Sequence, residues 1–280
     1  MQLDHIRTVL FDMDGVLYRG KTVLPGVHDL LAFLQQRDIR YACITNNASM
    51  TPEQYEEKLA AMGIAMPARL VLTSALVTNH YLRQHYPRGT TVYVIGMRGL
   101  RELLFSDGYF VEQTHGPQLV VQGADFEVTY EKLRLACLAI RGGARYIATN
   151  PDRTFPSEEG LIPGAGAIGA ALTAATEVEP FVIGKPQPTM FLAALEMLGG
   201  TAETALTIGD RLDTDIAGSL AANVPSALVL TGVATRDELA TSPYQPTVVF
   251  TDLPELLEAW QQTGADQETQ RRRDTEAQSN

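Results

Sequence analysis

Short, almost wholly apolar runs recur along this chain, separated by segments with helical periodicity, and that alternation restricts the architecture more than any other property of the sequence. Thr8-Val9-Leu10-Phe11, Tyr41-Ala42-Cys43-Ile44, Phe181-Val182-Ile183, Ala205-Leu206-Thr207-Ile208 and Ala227-Leu228-Val229-Leu230 have the composition of strands covered on both faces, as in a parallel sheet. Between them, Val27, Leu30, Leu31 and Leu34 repeat at i, i+3, i+4 and i+7, as do Phe191, Ala194, Leu195 and Leu198, and Gly199-Gly200 closes the second series. Thr51-Pro52-Glu53-Gln54 supplies an N-cap, a proline at the first helical position and a capping-box partner; Gly63 stops the helix that follows. The reading is an α/β fold with a mostly parallel, Rossmann-like sheet.

Residues 87–180 carry a separate alternation: Val92-Tyr93-Val94-Ile95, Leu119-Val120-Val121, a helix through Leu133, Ala136, Cys137 and Ile140, then Tyr146-Ile147-Ala148. That is enough for a second, smaller α/β domain. At 280 residues the chain has length for two domains, each able to build a core without staples. Residues 264–280 contain no hydrophobic residue except alanine, so they cannot bury enough area to offset their ordering entropy and are expected to be disordered.

Several function classes fall away on composition. No uncharged apolar run has bilayer length, which excludes a membrane span. Met1 to Arg7 mixes acid and base with no apolar signal region behind it, so the expectation is a cytoplasmic protein. Cys43 and Cys137 each stand alone in apolar surroundings, the setting of small buried thiols rather than of a disulfide or a zinc site. His5, His28, His80, His85 and His115 show no ligand-pair spacing with an acidic partner. Net charge is −11, from 22 Lys+Arg against 33 Asp+Glu, which disfavours nucleic acid and anionic lipid as partners. The one basic run, Arg271-Arg272-Arg273, is interleaved with Asp266, Glu268, Asp274 and Glu276 and reads as a solvated tail.

Chemistry concentrates where strands end. Phe11-Asp12-Met13-Asp14-Gly15-Val16-Leu17 places two carboxylates one residue apart at the carboxyl end of a strand, where open α/β sheets bind ligands, and a glycine permits the turn after them. Asp and Gly are also ordinary turn residues, so this feature alone fits a polar loop. Three further strand ends weigh against coincidence: Thr45-Asn46-Asn47, Gly184-Lys185-Pro186, and Gly209-Asp210 with Asp213 and Asp215 beyond. Taken singly, these too have plain readings: a turn, a surface lysine, an N-cap for the helix through Ile216 and Leu220. Together they bring carboxylates, a hydroxyl, amides and an ammonium to one edge of a sheet, a set suited to a metal ion and a phosphoryl group.

Gly164-Ala165-Gly166-Ala167-Ile168-Gly169 spells the dinucleotide fingerprint G-x-G-x-x-G. The segment before it, Ser157 to Pro163, is too polar and short for a buried strand, and Glu177 and Glu179 come too early for the ribose-binding acid; a close-packed helix start is the reading. Nor is Gly184-Lys185 a P-loop, since Glu179 occupies the position of the first glycine and Pro186 that of the Ser/Thr.

The four strand-end motifs, in this order, resemble the haloacid dehalogenase superfamily of aspartyl-phosphate phosphatases. Residues 1–262 resemble its subfamily IIA, the p-nitrophenylphosphatase-like or NagD-like branch, in Asp12 to Tyr18, Ile44 to Asn47, Gly184 to Pro186 and Gly209 to Ile216. The resemblance implies a discontinuous catalytic core (1–86 and 181–263) with an inserted α/β cap (87–180). It implies that Asp12 is the nucleophile, Asp14 the general acid and base, and that Thr45, Asn46 through its backbone, and Lys185 hold the phosphoryl group. It further implies Mg²⁺ on Asp12, Asp210 and the backbone carbonyl of Asp14, with Asp215 behind them. Substrate choice is expected from the cap loop Asn150-Pro151-Asp152-Arg153-Thr154-Phe155-Pro156, with Asn150, Asp152 and Arg153 as its candidate residues; its plain reading is a proline-stabilised surface turn. The implied substrate is a small phosphorylated metabolite, and relatives often pair through their caps. A phosphotransferase or phosphomutase of the same superfamily, a nucleotide-binding oxidoreductase using Gly164 to Gly169, and a non-catalytic sugar-phosphate sensor are the competing readings.

Overall fold

The computed structural model describes residues 3–157 and 159–262; the expected disordered tail, 264–280, lies outside the described residues. A six-stranded sheet runs in the order Val248–Phe250, Ser226–Val229, Ala205–Gly209, Thr8–Phe11, Arg40–Thr45, Val71–Thr73. Thr8–Phe11 pairs in parallel with Ala205 to Ile208 on one side and with Arg40 to Cys43 on the other. The chain leaves this strand toward Arg40–Thr45 and returns later to Ala205–Gly209 on its opposite side. Its carboxyl end is therefore a topological switch point, the place where helices diverge and a ligand crevice opens. All four residues of Thr8–Phe11 are buried, as a strand covered on both faces requires.

The chain divides into two compact units. One comprises the chain up to Cys43, Ala61–Ile64 and the chain from Leu195 on; the other comprises Ile44–Ala60 and Ala65–Ala194. In the first unit the helix Val27–Gln36 buries Val27, Leu30, Leu31, Phe33 and Leu34, the stripe that its periodicity predicts. Phe33 meets Trp260 edge to face at 5.6 Å, and Trp260 is only 1% exposed.

The second unit holds a five-stranded parallel sheet in the order Phe181–Val182, Arg145–Ala148, Leu119–Gln122, Thr91–Ile95, Val111–Glu112. Its core gathers Tyr93, Ile95, Val120, Ala136, Ile140, Tyr146, Ile168 and Leu172 from this sheet and from the helices Tyr130–Arg141 and Ala165–Thr176. Side chains of that size stabilise by roughly 1.5–3 kcal/mol each when fully buried. Burial pushes the Tyr146 hydroxyl pKa upward, so it stays protonated and donates to Gln122 Oε1 at 3.4 Å. Gln122 in turn donates to the Ala165 carbonyl at 2.9 Å, tying helix to sheet. The capping box of the helix Pro52–Ala61 is present in both directions: Thr51 N–H donates to Gln54 Oε1 at 2.9 Å, and Gln54 N–H to Thr51 Oγ1 at 3.3 Å.

Two elements differ from the reading of the sequence. Phe181–Val182 is a half-buried edge strand beside Arg145–Ala148 in the five-stranded sheet, not a buried strand of the six-stranded one. An apolar run of this length has the same composition in either setting, so composition does not choose the sheet. The G-x-G-x-x-G segment does follow a strand, Gly160–Pro163, but that strand forms an antiparallel hairpin with Thr154–Ser157 rather than part of a βαβ unit. The hairpin is largely exposed and needs no apolar run, so its sequence carries no buried-strand signal. Among the described residues no helix is long and apolar enough to cross a membrane.

Candidate active site

Three acidic residues and three loops assemble in the first unit. Asp12 leaves the carboxyl end of Thr8–Phe11 half-buried, its N–H donating to the Ile208 carbonyl at 2.9 Å. Asp210 leaves the neighbouring strand Ala205–Gly209, and Asp215 lies in the π-helical turn Leu212–Ile216; each is 1% exposed. Asp12, Asp210 and Asp215 bring one ligand atom each to within 4.8 Å of one another. Carboxylates buried this closely repel, and a hard cation with oxygen ligands resolves the repulsion, so the donor set fits a divalent metal.

Asp215 has a second task. Its Oδ2 accepts from the N–H groups of Asp210 (3.2 Å) and Arg211 (3.1 Å), so it holds the loop that presents Asp210 rather than capping the helix after it. Asp213 is exposed and pairs with Arg211. Asp14 is exposed, its carboxylate is not one of the three clustered acids, and the turn around it is closed by Gly15 N–H donating to the Tyr18 carbonyl at 2.8 Å.

A fifth strand end takes part that side-chain reasoning misses. After Ser226–Val229 the loop Thr231-Gly232-Val233 folds over Asp210: Val233 N–H donates to Asp210 Oδ2 at 2.8 Å, and Ala234 N–H to the Asp210 carbonyl at 2.9 Å. Thr231 Oγ1 donates to the Gly15 carbonyl at 2.6 Å, joining this loop to the Asp12-Asp14 turn. Gly15, at φ +85°, and Gly232 both lie against the Asp210 carboxylate. A Cβ at Gly15 would lie 2.4 Å from Asp210 Oδ2, and one at Gly232 1.8 Å from it. The sequence does carry one signal for this loop: a glycine close behind an apolar run, much as Gly209 and Gly184 follow theirs.

The other sequence-predicted residues lie in the second unit. Thr45 ends Arg40–Thr45 half-buried and accepts from Asn47 N–H at 3.2 Å. Asn46 is 7% exposed and Lys185 3%; the Lys185 ammonium reaches the Ile44 carbonyl at 3.4 Å. A buried ammonium attracts an anion strongly because little water screens it, which suits this position to an anionic guest. Asn150 is 4% exposed and donates to the Asn46 carbonyl at 2.7 Å, while Asp152 accepts from Asn46 Nδ2 at 3.0 Å. Of the cap-loop trio, Asn150 and Asp152 thus join the Thr45-Asn46 turn, and Arg153 is exposed.

The G-x-G-x-x-G segment supports this loop. Gly166 N–H donates to the Asp152 carbonyl at 2.7 Å, and Gly164 N–H to that of Arg153 at 3.0 Å. The helix start is thus packed onto protein backbone, occupying the amides that a dinucleotide would need.

Comparison with known proteins agrees with this chemistry. A family model described as haloacid dehalogenase-like hydrolase matches residues 9–109, and a second, HAD-hydrolase-like, matches residues 182–256. An acid sugar phosphatase of Staphylococcus saprophyticus is 36% identical over 255 residues, covering 91% of this chain and 98% of the relative. A dihydroxyacetone phosphatase of Corynebacterium glutamicum is 37% identical over 251 residues, 90% of each chain. The crystal structure of a 4-nitrophenylphosphatase from Thermotoga maritima superposes with a TM-score of 0.86 at 37% identity, covering 92% of this chain and 98% of that one.

Proposed function

Because the chain belongs to the haloacid dehalogenase-like hydrolases, in their NagD-like, p-nitrophenylphosphatase-like branch, we propose that it hydrolyses the phosphomonoester of a small sugar or triose through an aspartyl-phosphate intermediate. The observation that carries this reading is the clustered acidic trio Asp12, Asp210 and Asp215 at a topological switch point. The relatives' names supply the substrate class: one is an acid sugar phosphatase and another a dihydroxyacetone phosphatase.

In this proposal an oxygen of Asp12 attacks phosphorus, the bond from phosphorus to the substrate alcohol breaks, and the Asp14 carboxyl gives its proton to the leaving oxygen. Asp14, now a carboxylate, takes a proton from water; the oxygen of that water attacks phosphorus and the bond to Asp12 breaks. Inorganic phosphate leaves, with Asp12 ionised and Asp14 protonated as at the start. The exposure of Asp14 supports its role, since it must exchange protons with an arriving alcohol and then with water. Lys185 balances charge on the transferring group, and Thr45 with the Asn46 backbone binds its oxygens.

Asp12, Asp210 and the Asp14 carbonyl would hold Mg²⁺, with Asp215 fixing the Asp210 loop; the ion supplies charge neutralisation between phosphate and carboxylate when bound. The functional division into a core (1–86 and 181–263) and a cap (87–180) belongs to the same proposal, as does a cytoplasmic site of action.

Purified protein is expected to release p-nitrophenol from p-nitrophenyl phosphate in Mg²⁺ buffer, to stop in EDTA and to recover on Mg²⁺ addition. Hydrolysis that persists undiminished in EDTA would remove the metal from the proposal. In this proposal Arg153, exposed on the cap loop, meets the substrate's distal groups. Arg153→Ala is expected to reorder a panel of sugar and triose phosphates by about tenfold in kcat/KM, more than it slows p-nitrophenyl phosphate. Equal losses across that panel would deny it a selective role.

A further inference from the structure

The Asn46 side chain makes three hydrogen bonds to two distant segments. Its Oδ1 accepts from Lys185 N–H at 2.7 Å, and its Nδ2 donates to the Lys185 carbonyl at 2.9 Å. The same Nδ2 donates to Asp152 Oδ1 at 3.0 Å. Its own carbonyl accepts from Ser74 Oγ at 2.6 Å and from Asn150 Nδ2 at 2.7 Å. These partners lie 139, 106, 28 and 104 residues away in sequence. Main-chain packing leaves this arrangement no slack: Gly184 N–H donates to the Thr149 carbonyl at 2.8 Å, and a Cβ at Gly184 would stand 2.5 Å from Asn46 Oδ1 and 2.6 Å from that same carbonyl.

From this geometry we infer that the Asn46 side chain is a positioning residue, a clasp that fixes the Lys185 backbone and the Asp152 cap loop to the phosphate-binding turn. The inference rests on the phosphatase reading for the task given to Lys185. A two-point hydrogen bond to both main-chain groups of Lys185 sets where its side chain starts, and a buried ammonium is useful only in register with the charge it neutralises. An amide is needed for this. Aspartate at position 46 could accept from Lys185 N–H, but it would set a carboxylate oxygen against the Lys185 carbonyl and against Asp152, where donors now lie. Each lost donor removes a hydrogen bond from a site where water replaces it poorly.

The test is a polarity swap measured on the full chain with p-nitrophenyl phosphate and Mg²⁺. Asn46→Asp is expected to lower kcat about a hundredfold while KM changes within about threefold, the pattern of a displaced transition-state group. Asn46→Asp combined with Asp152→Asn restores a donor–acceptor pair between the two side chains and is expected to regain about tenfold of that loss; the Lys185 carbonyl still lacks its donor, so recovery stays partial. Asn46→Ser, which removes the amide without adding charge, is expected to lose about tenfold and guards against a fold too damaged to assay. Thermal unfolding of each variant checks that it folds. Asn46→Asp and Asn46→Ser both within twofold of the parent, or a loss that Asp152→Asn leaves untouched, would overturn the clasp. An inactive parent protein would overturn the phosphatase reading instead, so the two failures are distinguishable.

Discussion

Asp12→Asn is expected to abolish turnover of p-nitrophenyl phosphate, with kcat falling by at least about 10⁴-fold and no recovery on changing the buffer or the Mg²⁺ concentration. The amide is nearly isosteric with the carboxylate, so Asp12 N–H still donates to the Ile208 carbonyl and the buried strand Thr8–Phe11 behind it is unchanged. What disappears is a lone pair nucleophilic enough to displace an alkoxide, together with one of three acids gathered within 4.8 Å. A group with both tasks is not replaced by its neighbours. Asp210 and Asp215 are 1% exposed and engaged by Val233 N–H and by the Asp210 and Arg211 N–H groups respectively. The decisive measurement is trapping: acid-quenched parent protein incubated with phosphate-labelled substrate should carry a hydroxylamine-labile label, and the Asn variant none. A variant that retains measurable turnover and label would move the nucleophile elsewhere.

How much of this site is legible in the amino-acid sequence depends on which atoms do the work. Asp12, Lys185 and Asp210 announce themselves because each is a charge placed just after an apolar run, and a charge at the mouth of a buried strand is costly unless it has a use. Thr231 to Val233 follows an equally apolar run yet stays inconspicuous, because its contribution to Asp210 is made by backbone N–H groups that every residue but proline possesses. The Asn46 clasp is hidden for another reason: its partners are more than a hundred residues away, so no local spacing encodes it. Periodicity places the helices Val27–Gln36 and Pro188–Leu198, whose apolar stripes are local. It cannot tell that Phe181–Val182 belongs beside Arg145–Ala148, because pairing partners are chosen by the whole topology and two half-buried residues carry too little pattern to reveal it.

Gly232→Ala should damage metal binding without replacing any side chain that could ligate a metal. The added Cβ would lie 1.8 Å from Asp210 Oδ2 and 2.5 Å from its Cβ, closer than any non-bonded pair tolerates. Either the carboxylate turns away or the Thr231-Gly232-Val233 loop lifts, and lifting it breaks the Val233 N–H bond to Oδ2 at 2.8 Å. Gly15 adds to the confinement of this carboxylate, since a Cβ there would lie 2.4 Å from the same oxygen. Loss of an outer partner of a ligating carboxylate typically costs about 10–100-fold in metal affinity. The Mg²⁺ concentration for half-maximal activity is therefore expected to rise by about that factor, with much of kcat returning at saturating Mg²⁺. Calorimetric titration of Mn²⁺ into EDTA-stripped protein should show the same weakening with no substrate present. Gly99→Ala is the matched control: its Cβ would meet nothing nearer than Thr51 Cγ2 at 3.5 Å, ordinary contact, and it lies in the helix Arg98–Phe105 of the other unit. Equal metal affinity in the two variants would mean that Asp210 tolerates the intrusion and does not ligate through the oxygen that both glycines enclose.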